Sequence, residues 1–239
     1  MQNHLSQIAV AIANYEMSFE MLPPGSVNDT GPILSEPVGY HVSWMVQILP
    51  QMDERNAFRK FDFAEGAYGT GSEPVRQYQI NSYLCPSSYM VSALELVALT
   101  NYAGCHHHEE AQIAGDNTGL LLLNSSIRFE EIPDGSTHTL LLGEVDYQYD
   151  ALGWVSGTRA TLRNAGTLIN NAGGGYRSRP TPGTPAPPTN EVGGFSSFHP
   201  GGAQFAIADG HVSFLSENID PRVYQFLANR GDGELVGLP

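Results

Sequence analysis

The dipeptide Asp209-Gly210 constrains this chain more than any other feature. It separates Phe205-Ala206-Ile207-Ala208 from His211-Val212-Ser213-Phe214-Leu215, two runs with strand character. A two-residue type I′ loop needs φ > 0 at both central positions, which Gly accepts freely and Asp tolerates. That loop sets a register in which Ala208 faces His211, Ile207 faces Val212, Ala206 faces Ser213 and Phe205 faces Phe214. Phe205, Ile207, Val212 and Phe214 then make one apolar face, so 195–215 reads as an antiparallel hairpin laid on a core. His199 and Asp209 bracket the first arm at opposite ends, too far apart for a catalytic pair. The plain alternative is an end-of-strand histidine before a Pro-Gly-Gly bend and a turn aspartate.

The rest of the chain falls into order around this hairpin. Leu5, Ile8, Ile12, Tyr15 and Phe19 recur at steps of three and four, which draws an apolar stripe along a helix over 1–21, ended by Pro23-Pro24-Gly25. Ser43 is placed to cap a second helix carrying Trp44 and Ile48, which Pro50 interrupts. Thr137 to Val145, after the Asp134-Gly135-Ser136 turn, reads as a strand. Residues 163–194 are rich in Gly and Pro and cannot bury a core, so they read as a long loop excursion. Asp220 followed by Pro221 signals a closing helix. One domain over 1–239 accounts for all of this, of α+β class.

Charge and composition exclude several functions. With 25 acidic against 11 basic residues and a net charge of −14, the chain lacks the clustered cations that nucleic acid or anionic lipid requires. An acidic surface suits hard cations such as Ca²⁺, or basic partners. Cys105-His106-His107-His108-Glu109-Glu110, with Asp116 soon after, carries imidazoles and carboxylates that suit Zn²⁺. In an extended segment His106 and His108 point one way and His107 the other, so His106, His108 and Asp116 are the candidate ligands, and a polar loop is the competing reading. Glu144 and Asp146 are either cation ligands or solvated strand-end carboxylates.

Several short motifs stand in a defined order: Leu22-Pro23-Pro24-Gly25, Ser43-Trp44, Leu84-Cys85-Pro86-Ser87, Asn101-Tyr102-Ala103-Gly104, Ile132-Pro133-Asp134-Gly135, Gly143-Glu144, and His199 followed nine residues later by Asp209-Gly210. In this order they resemble the His-x9-Asp-Gly domain of bacterial prepilin-type proteins, a pseudopilin-like family of unknown function. The resemblance covers nearly the whole chain. It implies a type IV pilin-like fold in which the N-terminal amphipathic helix packs as a spine on an antiparallel β-sheet with long loops. It marks His199, Asp209 and Gly210 as motif residues. It also implies an exported, disulfide-permissive setting, and so a Cys85–Cys105 bridge.

The resemblance implies a non-enzymatic structural subunit at the cell envelope, on its periplasmic or extracellular face, whose partners are other pilin-like subunits or copies of itself. No basic leader and no apolar run of about 18 residues occurs. The chain therefore reads as a soluble head, with membrane contact only through an N-terminal helix it lacks. A second reading is a glycan- or polymer-binding module presenting Tyr68, Tyr147, Tyr149, Trp154 and Tyr176, set against the commoner fate of such rings in a core. A third is a hydrolase using Ser196 or Ser197 with His199, or a metal at His106 to His108. No Gly-x-Ser-x-Gly elbow or His-Glu-x-x-His helix supports it. No cofactor is required by these features; Ca²⁺ and Zn²⁺ are the candidates.

Overall fold

In the computed structural model, which describes residues 2–88, 97–146, 152–170 and 187–237, the chain builds an α+β fold around a mixed five-stranded sheet. The strands are β1 (Ser26–Val27), β2 (Val42–Ser43), β3 (Tyr102–His107), β4 (Leu140–Glu144), β5 (Leu162–Asn164), β6 (Gly202–Ile207) and β7 (Val212–Ser216). The α-helices are α1 (Gln2–Phe19), α2 (Trp44–Gln47), α3 (Arg55–Lys60), α4 (Glu73–Arg76) and α5 (Pro221–Ala228). The large sheet runs β5-β3-β4-β6-β7, and β1 and β2 form a separate pair. The sheet is not antiparallel throughout, because β5 runs parallel to β3.

The local signals work where they were strongest. Ser43 caps α2, its side chain accepting from the Met45 N–H at 3.1 Å. Asp220 caps α5 by accepting from Arg222 and Val223, which satisfies N–H groups that a helix start leaves without partners.

The hairpin forms, but one residue out of the expected register. Phe205 pairs with Ser213 and Ala206 with Val212. The turn holds three residues, Ala208-Asp209-Gly210, because Ile207 N–H donates to the His211 carbonyl at 2.9 Å and Gly210 N–H donates to the Ile207 carbonyl at 2.9 Å. Of the dipeptide only Gly210 takes positive φ, +92°. A three-residue loop needs a single left-handed residue, which spares Asp209 that strain. Asp209 instead uses its carboxylate on the His211 N–H at 3.0 Å and on the His211 ring. The slip flips β7: Leu215 is buried, Phe214 is 41% exposed, and Val212 packs on the opposite face from Phe205.

The sheet has a core on each side. Ala206, Leu142, Leu121 and Trp44 share one with Leu5, Ile8 and Ile12 of α1. Phe205, Ile207, Leu140 and Leu215 share the other with Tyr224 and Leu227 of α5. Burial on both faces explains why β4 carries three consecutive leucines. Gly143 completes β4 because a Cβ there would lie 2.5 Å from the Phe205 ring and 2.6 Å from the Phe195 ring.

The tract 163–194 is not wholly an excursion. Its first residues continue β5, with Arg163, Asn164 and Ile169 buried, while 171–186 lie outside the described residues. Among the described residues no helix is long and apolar enough to cross a membrane.

Candidate functional site

The histidine run does not gather into a site. A register shift between Cys105 and His107 interrupts the pairing of β3 with β5. His106 is fully buried with Nδ1 on Asn117 Oδ1 at 3.0 Å, and burial drives its pKa down to about 3. His107 accepts the Thr118 N–H at 3.1 Å, and His108 Nδ1 meets Thr118 Oγ1 at 2.7 Å. Asp116 is exposed and shares no ligand cluster with these histidines among the described residues. His106, His108 and Asp116 do not come together as a ligand cluster among the described residues, and the Nδ1 of His106 and of His108 is taken up by Asn117 and Thr118. Glu110 is spent as well, accepting from the N–H groups of Val192 and Gly193.

The expected disulfide is also corrected. Cys85 and Cys105 are both free and buried. Cys105 points under α5, its Sγ 3.9 Å from the Ala228 carbonyl, and burial pushes its thiol up to about 12. Cys85 faces elsewhere, and what it faces is the site.

Cys85 Sγ lies 3.8 Å from His199 Nε2 across a sequence separation of 114 residues. The same Nε2 lies 3.3 Å from Glu144 Oε1. Ligand atoms of Cys85, Glu144 and His199 all fall within 4.8 Å of one another, and no other such trio of His, Cys, Asp or Glu occurs among the described residues. Three elements hold them. Asn101 fastens the Cys85 loop to the end of β4, its Oδ1 accepting from the Cys85 N–H at 2.9 Å and its Nδ2 donating to the Val145 carbonyl at 3.0 Å. Glu144 ends β4, with Oε2 accepting the Gln204 N–H of β6 at 2.8 Å. His199 is set by the bend before β6, where its own N–H donates to Ser197 Oγ at 2.8 Å.

The environment is enclosed. Cys85 and Glu144 are 5% and 3% exposed. Burial raises the Cys85 thiol pKa, opposed by a Ser87 backbone hydrogen bond and reinforced by the Glu144 carboxylate. Tyr102 pairs with Glu144 in the β3–β4 register. Its buried hydroxyl has no hydrogen-bond partner. Burial raises the Tyr102 pKa, and the charges of Cys85 and Glu144 raise it further.

This arrangement is not a nucleophile relay. A Cys–His–carboxylate relay needs one imidazole nitrogen on the thiol and the other on the carboxylate. Here one nitrogen faces both. Ser196 Oγ donates to Asp146, and Ser197 Oγ engages the His199 backbone rather than its ring. Asp146, paired with Ser196, is not a solvated carboxylate. Trp154 is fully buried, with Nε1 donating to the Tyr78 carbonyl at 2.9 Å, so it offers no face to a sugar. Tyr68 is only partly buried and packs on the core, its hydroxyl 2.6 Å from Ser156 Oγ, while Tyr147, Tyr149 and Tyr176 lie outside the described residues.

Residues 2–222 match the family described as protein of unknown function (DUF1559). The chain belongs to that family. No curated protein and no solved structure matches it. In this DUF1559 chain the short motifs of the sequence meet in space: Leu84-Cys85-Pro86, Asn101-Tyr102, Gly143-Glu144 and His199 each supply one wall of the site. That ordered set of motifs was the available signal. Spacing alone holds none, since Cys85, Glu144 and His199 are scattered along the chain.

Proposed function

We propose that this DUF1559 protein is a non-enzymatic structural subunit, a pilin-like head that takes part in an envelope or secretion-associated fibre. One observation carries the reading: α1 has two apolar aspects. Leu5, Ile8 and Ile12 are buried, and α1 lies against β4, β6 and β7, the antiparallel part of the sheet. Val10 and Met17, on the side of the helix away from that stripe, stay 57% and 79% exposed, and Phe19, at the end of the stripe, is 51% exposed. A helix that serves its own core needs a single apolar stripe; a spine packed on by further subunits needs apolar surface outside it as well. Family membership supports the same reading. On this reading the partners are further copies or related pilin-like subunits, outside the cytoplasm.

Cysteine substitution at Val10 or Met17, followed by oxidative cross-linking in cells making the native gene product, tests this. The expected result is a ladder of cross-linked species in the envelope fraction. A monomer recovered from the cytosol without cross-links refutes it.

A further inference from the structure

We propose that Cys85 Sγ, a Glu144 carboxylate oxygen and His199 Nε2 form a binding site for one divalent transition-metal ion of the zinc type. The fibre reading neither requires nor supplies this site.

Geometry comes first. Zinc takes His nitrogen and carboxylate oxygen at about 2.0–2.1 Å and thiolate sulfur at about 2.3 Å, in a tetrahedron. The edges of such a tetrahedron are about 3.3–3.4 Å for nitrogen to oxygen and about 3.5–3.6 Å for sulfur to nitrogen. His199 Nε2 stands 3.3 Å from Glu144 Oε1 and 3.8 Å from Cys85 Sγ. The third edge, within 4.8 Å, closes with at most about 1 Å of side-chain movement. The convergence of two partners on a single imidazole nitrogen, useless for a relay, is what a shared ion requires.

Donor chemistry narrows the ion. Thiolate disfavours Ca²⁺ and Mg²⁺, which take oxygen ligands, whereas sulfur, imidazole and carboxylate together suit Zn²⁺ and its neighbours. On binding, the Cys85 S–H bond breaks, its proton leaves to solvent, and the thiolate pair bonds to the metal. Second contacts already orient the ligands: Gln204 N–H holds Glu144 Oε2, and Asn101 holds the Cys85 backbone.

The unpartnered Tyr102 hydroxyl is an independent pointer. A buried hydroxyl without a partner is costly, and Tyr102 is 1% exposed. Tyr102 is the register partner of Glu144, so the two side chains share a face of the sheet, and a water on the fourth position of the ion is the partner we assign to that hydroxyl. Three protein ligands plus one water is a coordination shell zinc commonly takes. The ion ties together the Cys85 loop, the end of β4 and the bend before β6, so it fastens the fold locally.

The test is a Co²⁺ titration of the reduced, metal-stripped chain, followed by near-ultraviolet absorption. The proposal expects a thiolate-to-cobalt charge-transfer band that saturates at one equivalent and disappears when Zn²⁺ is added. Cys85→Ser abolishes the band, while Glu144→Gln and His199→Asn weaken Co²⁺ binding by at least about tenfold. Cys105→Ser and the His106→Gln/His108→Gln double variant keep it. Alkylation of the wild-type chain, mapped to Cys85 by mass spectrometry, gives a readout that needs no variant to fold: Zn²⁺ slows it. Lack of a charge-transfer band at millimolar Co²⁺, a band that survives in folded Cys85→Ser, or Cys85 alkylation indifferent to Zn²⁺ each overturns the proposal.

Discussion

Two regions of this protein carry donor atoms suited to a metal, and they are organised in opposite ways. His106, His107 and His108 are consecutive, yet His106 turns to Asn117 while the other two turn to Thr118. Cys85, Glu144 and His199 come from three distant segments, and their ligand atoms lie within 4.8 Å of one another. The register shift between Cys105 and His107 breaks the alternation that would have set His106 and His108 on one side, so His107 and His108 meet at Thr118 and His106 is left apart. Cys85, Glu144 and His199 converge because Asn101 holds the Cys85 loop to the end of β4 and the bend before β6 brings His199 to the same place. The difference teaches that a run of chemically apt residues is weaker ground for a site than a junction of elements.

The largest expected effect tests the hairpin that positions the trio. Leu215→Ala should lower stability in urea by about 2–5 kcal/mol, since Leu215 is fully buried. Phe214→Thr should change it by less than about 0.5 kcal/mol, because the ring is 41% exposed. The reverse ranking restores the type I′ register and moves β7 by one residue.

Next, Asn101→Ala should cost about 2–4 kcal/mol, because it strands the Cys85 N–H and the Val145 carbonyl in a buried place. A loss below about 0.5 kcal/mol, within the range of surface changes, means that the Cys85 loop is not held to β4 in this way.

The histidine run gives the third prediction, a pH dependence with a definite sign. The pKa of His106 falls from 6.5 in the unfolded reference to about 3 in the fold. Between those values the unfolded chain binds the extra proton, so stability drops as pH is lowered through 6.5. The drop amounts to about 2 kcal/mol between pH 7 and pH 5. His41 and His107, also lowered by burial, act in the same direction. His106→Gln should flatten the profile measured by denaturant titration at several pH values; an unchanged slope places the proton uptake elsewhere.

The smallest effect belongs to His108→Ala. It loses one hydrogen bond, to Thr118 Oγ1, from a side chain 27% exposed, so about 1 kcal/mol or less is expected. Thermal unfolding measures it, and a loss several times larger gives the run a structural weight it lacks here.

Much of the fold was legible in the residues. The stripe of α1, buried at Leu5, Ile8 and Ile12 but 51% exposed at Phe19, the Ser43 and Asp220 caps, and the strand expected over Thr137–Val145 and found at Leu140–Glu144 rest on local physics, namely periodicity, capping and apolar runs. The hairpin was legible as a hairpin, but its register was not. Two loop types compete for Asp209-Gly210, and the preference of Leu215 for the core over Phe214 is decided by what lies beneath β7. Of the site, Cys85, Glu144 and His199 were each singled out, but as a disulfide partner, a strand-end carboxylate and a motif histidine.

By itself, the sequence determined the α+β class, the helix at the start, the turn at Gly210 and the strongly acidic surface. All of these follow from interactions within a few residues or from composition. Only the tertiary structure decided that β5 joins the sheet in parallel, that the cysteines stay apart, and that Cys85, Glu144 and His199 bring their ligand atoms together. The reason is physical. Which distant segments meet is set by how two apolar faces of one sheet are covered, and that depends on the whole chain at once.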